Sequence, residues 1–209
     1  MRRLLVVAIV VGLLGAADYG AKAVAENSAA QAIDRRLPGS GPVAVDVHGF
    51  PFLLSAIRGH YEEIDVSTPM IRRDPVRFDD VRIRLLDVTL PLGDLIDGSG
   101  HASAATARGT AAITETSLED ALKTLNAGID VSVSRDGIEV SSGSTGITIP
   151  ADLELRDGAL VLIAGGALGS LDLPLPSLAG NLDFGSTRTR DGRIVVTLEG
   201  RDVDLLKVQ

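Results

Sequence analysis

Residues 45–66, "VDVHGFPFLLSAIRGHYEEIDV", set a Gly-Phe-Pro-Phe-Leu-Leu knot between two alternating apolar runs. Val45 and Val47 before the knot, and Ile64 and Val66 after it, keep the period of two that a half-buried strand requires. Pro51 fixes one backbone angle and disfavours helix at Phe50, and Gly49 permits a bend, so the first strand must end and turn here. Phe50, Phe52, Leu53, Leu54 and Ile57 then form a compact apolar cluster. Aromatic residues make up only 3% of the chain and there is no Trp, so two Phe around one Pro is a concentration that needs a reason. The residues leave two readings open. The cluster is a plug of the core, or, in a lipid-binding reading, it closes one end of an apolar cavity or dips into a membrane surface.

Outward from the knot the chain is mostly strand. Val43, Val45 and Val47 alternate, as do Val81, Ile83 and Leu85, with Arg82 and Arg84 on the opposite face. The segments "VSVSRDGIEVSS", "ADLELRDGALVLIA" and "TRTRDGRIVVTLEG" each place Asp-Gly between alternating runs, which predicts three tight hairpins and antiparallel pairing. "GSLDLPLPSLAGNLDF" alternates Leu171, Leu173 and Leu175 while Pro174 and Pro176 remove donors, so it reads as an edge strand or extended arm. "IDGSGHASAATARG" reads as a mobile loop leading into a strand.

Two helices interrupt the strands. The Ala-rich residues 19–39 carry Val24, Ala29 or Ala30, Ile33 and Leu37 near helical spacing, end on Arg35 and Arg36, and stop at Pro38-Gly39. In "TSLEDALKTLNAG", Thr116 or Ser117 is the expected cap, Leu118, Leu122 and Leu125 form a core stripe, and Gly128 closes the helix. The expected fold class is α+β.

A chain of 209 residues suits one domain, and at 45% hydrophobic with so few aromatics its core is built from Leu, Val, Ile and Ala. The net charge of -8 argues against nucleic acid, whose phosphates demand a concentrated basic surface. Arg2 and Arg3 precede an apolar run from Leu4 to Ala17, and Gly15-Ala16-Ala17 offers small residues for cleavage before Asp18. That run fits an export signal better than a membrane span of roughly 20 residues. Residues 1–17 are therefore read as a signal peptide, with an uncleaved anchor as the alternative, and 18–209 as a single domain. The sequence contains no Cys, which leaves no disulfide, no thiol nucleophile and no acylation site.

Catalytic motifs do not emerge. There is no G-x-S-x-G elbow or phosphate loop, and Lys is confined to Lys22, Lys123 and Lys207. His48, His60 and His101 lack metal-ligand spacing and read as surface or satisfied residues, so neither metal nor cofactor is expected. Asp79-Asp80, Glu62-Glu63 and Asp94 with Asp97 are local acid pairs, but neighbours in a strand point to opposite faces. A sugar-cleaving site is disfavoured by the absence of Trp and the presence of only two Tyr. What remains is an aliphatic interior, either close-packed or with room for acyl chains.

The opening stretch resembles the signature of the LmeA-like phospholipid-binding family of actinobacterial cell-envelope proteins, through Gly49, Phe50, Pro51, Phe52, Leu53 and Gly59. The tail "LPLPSLAGNLDFGSTRTRDGRIVVTLEG" is similar to that family's closing region. The resemblance implies a curved antiparallel sheet wrapped around a long N-terminal helix, similar to tubular lipid-binding domains. It also implies an exported, non-catalytic protein of the periplasm or envelope. Such a protein holds phospholipid, of anionic and phosphatidylinositol type, meets a membrane surface and supports lipoglycan maturation.

Phe50, Pro51, Phe52, Leu53, Leu54 and Ile57 are then the candidate apolar contacts. The resemblance supplies no head-group residue. Charge alone nominates Arg72, Arg73 and Arg77 in "MIRRDPVRFDDVRIR", and Arg58 beside the knot, because guanidinium forks across phosphate oxygens. The alternatives are an enzyme or enzyme subunit acting on lipid-linked glycans through dispersed acids, and a purely structural envelope module.

Overall fold

The structure, a computed structural model, describes residues 2–37, 39–73, 75–91, 102–124, 129–135, 137–142, 148–156, 159–165, 169–175 and 181–205, with side chains from residue 12 onward except those of 73 and 142. Helix α1 (Arg2–Arg36) runs without a break across Ala17 and Asp18. It is followed by β1 (Ala44–His48), a short α2 (Phe52–Arg58), and the long hairpin of β2 (His60–Arg73) and β3 (Val76–Thr89). Next come β4 (Ser103–Thr114), α3 (Glu115–Thr124), β5 (Ile129–Val133), β6 (Ile138–Ser142), β7 (Thr148–Arg156) and β8 (Ala159–Ala164). The chain closes with β9 (Ser170–Pro174), β10 (Leu182–Arg190) and β11 (Arg193–Asp204). The strands form a six-stranded sheet, β1-β2-β3-β4-β11-β10, and a five-stranded sheet, β5-β6-β7-β8-β9. Every pairing is antiparallel, in the α+β class expected.

The hairpin chemistry acts as the sequence predicts. Asp191 and Gly192 both take positive φ, 52° and 70°, between Arg190 and Arg193, which pair across the turn. Residues 134–137 join β5 to β6, where the amide of Ser134 donates to the carbonyl of Gly137 at 2.9 Å. The third Asp-Gly, at 157–158, lies outside the described residues, and Arg156 pairs with Ala159 across it. Pro174 sits in β9, an edge strand as expected, while Pro176 lies outside the described residues, as do Pro38, Leu125, Gly128 and residues 92–101.

Two details differ from the sequence reading. Helix α3 starts at Glu115, so Thr114 occupies the cap position: the amide of Ser117 donates to Thr114 Oγ1 at 3.4 Å, and Thr116 and Ser117 fall inside the first turn. In α1, Val24 is exposed, and Ala21 and Ala25 make the packing face instead. Small side chains at that spacing let the helix lie close along β1.

Two separate clusters of buried side chains form the core. The larger joins the far halves of β3, β4 and β11 to α3 and the five-stranded sheet, with Val76, Ile113, Leu118, Leu122, Leu160 and Val196 almost wholly buried. The smaller gathers Val47, Phe52, Ala56, Tyr61, Leu85 and Val88 beneath α2, with Ala21 and Ala25 of α1 against it. Between Glu62 and Asp202 the six-stranded sheet is creased. Asp87 and Asp202 take left-handed φ of 51° and 50°, and Ala105 lies between them in the register. On either side the buried residues are three apart rather than two: Tyr61 and Ile64, Leu85 and Val88, Ala104 and Ala107. Asp tolerates the left-handed region that β-branched residues avoid, so each one resets the pleat and bends its strand.

Candidate lipid-binding surfaces

The structure divides the Phe-Pro-Phe knot. Phe52 is 6% exposed and packs on Tyr61 with ring centroids 6.1 Å apart, whereas Phe50 is 80% exposed. The peptide between Phe50 and Pro51 is cis. Leu53, Leu54 and Ile57 follow Phe50 into solvent, and Ala56 follows Phe52 inward. The plug reading therefore holds for Phe52 and Ala56 alone. One face of α2 is a core plug and the other is an apolar surface without cover among the described residues. Gly59 ends the helix at φ 65°, and a Cβ there would meet Pro91 Cα at 2.9 Å, so only glycine fits both the angle and the space.

Helix α2 has no side-chain cap of its own, because Pro51 holds the N-cap position. The missing acceptor comes from α1. Asp18, 6% exposed, accepts the amide of Phe52 on Oδ2 at 2.9 Å and that of Leu53 on Oδ1 at 2.7 Å. A carboxylate against the exposed donors of a helix start is a favourable charge-assisted arrangement. Two further bonds fix α1 along β1. Glu26 Oε1 accepts the amide of Val47 at 2.8 Å, satisfying an edge-strand donor, and Lys22 Nζ donates to Asp46 Oδ1 at 3.0 Å. That hydrogen bond lowers the Asp46 carboxyl below its ordinary range and raises Lys22 above its own. Leu13, Leu14 and Tyr19, on either side of Asp18 in α1, are exposed as well.

A second apolar feature crosses the sheet. The register places Val45, Val66, Ile83, Gly109, Leu198 and Phe184 in one line over all six strands. The line is about 24 Å long at the usual strand spacing of about 4.8 Å. It falls at the seam between the two buried clusters, and Ile83 packs against both. Val45, Val66, Ile83 and Phe184 are only half-buried. A Cβ at Gly109 would lie 2.6 Å from the Arg82 carbonyl oxygen, so β3 and β4 come too close there for any side chain.

The neighbouring polar row is charged throughout, with Asp46, Asp65, Arg84, Arg108, Glu199 and Asp183 in register. Arg84 forks onto Asp65 at 2.9 and 3.1 Å and reaches Glu63 at 3.2 Å, and this bonding lowers the Asp65 carboxyl below its ordinary range. Two open grooves, of about 540 and 480 Å³, adjoin at Arg108. His48 stands beside Glu63 and Asp65, a juxtaposition its sequence spacing did not reveal, but both acids already hold Arg84.

The head-group candidates are not gathered. Arg58 is exposed in the last turn of α2. Arg72 and Arg77 pair across the opposite end of the β2–β3 hairpin, where Arg77 Nε lies 3.3 Å from Asp79 Oδ1. The side chain of Arg73 lies outside the described residues. Asp79, one of the local acids, also accepts the hydroxyls of Thr114 and Ser117 at 3.1 Å each and so anchors α3. Glu62 and Asp80 are exposed, Asp80 pairing with Arg82 at 3.0 Å, and Asp94, Asp97 and His101 lie outside the described residues.

Sequence reasoning missed Asp18, the exposed Leu13 and Leu14, and the six-strand row. The one available signal was negative: a helical segment that starts after Pro51 without a capping residue must borrow an acceptor from elsewhere.

An antiparallel fold with a half-covered aliphatic seam and an apolar helix face turned to solvent has the features of a lipid-handling protein. A family model for LmeA-like phospholipid-binding proteins matches residues 16–204, and the chain belongs to that family. No curated protein and no solved structure matches it.

Proposed function

We propose that the chain is a non-catalytic carrier or sensor of phospholipid in the cell envelope, and that an acyl chain lies along the row from Val45 to Phe184. The observation that carries this reading is the row itself. Across the six strands Val45, Val66, Ile83, Leu198 and Phe184 come into register at the seam between the two buried clusters, leaving an apolar strip half-covered. Burying such a strip under an acyl chain is favourable by roughly 25 cal/mol per Å² of apolar surface. Family membership supports phospholipid as the ligand class.

The finer parts of the reading are an anionic, phosphatidylinositol-type lipid, exchange with a membrane surface, export with the N-terminal segment kept as an uncleaved anchor, and a supporting part in lipoglycan maturation. Of the local acids, Asp79, Asp80 and Glu63 are engaged in structural bonds, which favours carriage over catalysis.

The test is native mass spectrometry of the full chain, purified without detergent, before and after organic extraction. A carrier shows adducts of phospholipid mass that extraction removes and anionic vesicles restore. Val66→Trp fills the row from a half-buried position and is expected to cut the lipid-bound fraction at least about fivefold while circular dichroism stays unchanged. A bare protein that takes up no lipid ends the proposal.

A further inference from the structure

We infer that the exposed face of α2, with Leu13 and Leu14 of α1, is the surface on which the molecule docks to a lipid bilayer, and that Asp18 holds it in the docking geometry. The inference deepens the lipid-carrying reading and rests on it for the choice of a bilayer as partner.

Four observations converge. Phe50 and Ile57 are 80% and 77% exposed, with Leu53 and Leu54 between them, an unusual concentration of large apolar side chains in solvent. The apolar run from Leu4 to Ala17 forms the first half of α1 and ends one residue before Asp18. Because Asp18 is bonded to the first amides of α2, the run ends beside the start of that helix, with the exposed Leu13 and Leu14 within two turns of the bond. A soluble protein partner would have to cover a helix that already leads into an apolar segment, whereas a bilayer interface accepts both at once. Finally, Arg58 closes α2 beside Ile57, exposed and without an ion-pair partner among the described residues. An apolar face with a cation at its rim matches the anionic interface of phospholipid head groups.

Asp18 gives this surface its shape. Without its carboxylate, the buried amide of Phe52 and the part-buried amide of Leu53 would be left unpaired, and seven residues of helix are too few to persist alone. Attachment of α1 and presentation of Phe50 and Ile57 are therefore one event. The only covalent path between Asp18 and α2 runs through more than 30 residues, including β1.

The absence of Trp makes the test direct. Phe50→Trp, Ile57→Trp and, as a control at the far tip of the β10–β11 hairpin, Arg190→Trp are each made in the full chain. Each is mixed with phosphatidylglycerol vesicles carrying brominated acyl chains. Docking as inferred quenches residues 50 and 57 strongly and residue 190 hardly at all. Equal quenching at all three, or none at 50 and 57, overturns it. Asp18→Asn in the Phe50→Trp background keeps the shape and one acceptor oxygen. It is expected to speed amide exchange at Phe52 and Leu53 by about threefold to tenfold, in line with the loss of a cap, and to weaken quenching. Unchanged exchange and quenching overturn the role of Asp18.

Lipid adducts, measured in parallel, keep the two ideas apart. Adducts without quenching at residue 50 refute the docking surface and leave the carrier standing. Quenching without adducts does the reverse.

Discussion

The two ends of the six-stranded sheet solve the same problem in opposite ways. Beneath α3 and the five-stranded sheet the apolar face is closed: Ile113, Leu118 and Leu122 are essentially inaccessible, and the start of α3 is capped from its own neighbourhood by Thr114, with Asp79 behind it. Beneath α2 the cover is small and its cap is borrowed across more than 30 residues from α1. Three of its four large apolar side chains, Leu53, Leu54 and Ile57, face outward. A helix that only had to seal a core would resemble α3. The difference marks α2 as a helix with one face committed to the fold and one left for something outside it.

The sharpest way to break this contrast lies within three residues. Phe52→Ala removes a buried ring from the smaller cluster and is expected to cost about 3–5 kcal/mol. Phe50→Ala, two positions away, removes a ring from solvent and should change stability by no more than about 0.5 kcal/mol. Urea unfolding of both variants measures the difference. Similar losses at the two sites would mean that Phe50 is covered, and the open end would not be open.

Asp18→Ala comes next in size. Deleting a helix cap costs about 0.5–2 kcal/mol, and here the loss should be confined to one end. Hydrogen exchange should rise at the amides of Phe52 and Leu53 and stay unchanged at Leu118 and Leu122. Loss of protection at both ends together would show that the two clusters unfold as one unit and that the borrowed cap has no local meaning.

The strands and their turns were legible in the sequence along the whole sheet, and the way α1 and α2 cover its open end was not. Val81, Ile83 and Leu85 alternate against Arg82 and Arg84 because a strand has period two, and Asp191-Gly192 turns because its residues tolerate positive φ; both signals are local. The crease was hidden because left-handed Asp87 and Asp202 break the period two on which the reading depended. The split between Phe50 and Phe52 was also illegible, since composition cannot say which side of a seven-residue helix meets the core. The bond from Asp18 to Phe52 depends on the packing of α1 along β1, which no local pattern encodes.

The smallest expected effect concerns pH, and it also distinguishes the ends. Asp46, held by Lys22, and Asp65, held by Arg84, both have carboxyls lowered from the ordinary value, and both lie in the part of the sheet next to α1. A carboxyl that is more acidic when folded contributes stability at pH values above its unfolded value of about 3.9. That contribution is lost as pH falls through the lower, folded value. Lys22 has the opposite sense: raised in the fold, it contributes below its ordinary value near 10.4 and loses that contribution as pH rises through the folded value. Acidification below about pH 4 should therefore loosen the contact of α1 with β1 through Asp46 and the β2–β3 pairing through Asp65, and the slope of melting temperature against pH there should be shallower in an Asp46→Asn, Asp65→Asn double variant. Because both pairs are solvent-accessible, the change is modest and shrinks further in high salt. A slope unaltered by the double substitution would place the acid sensitivity elsewhere, and these pairs would then order their side chains without stabilising the fold.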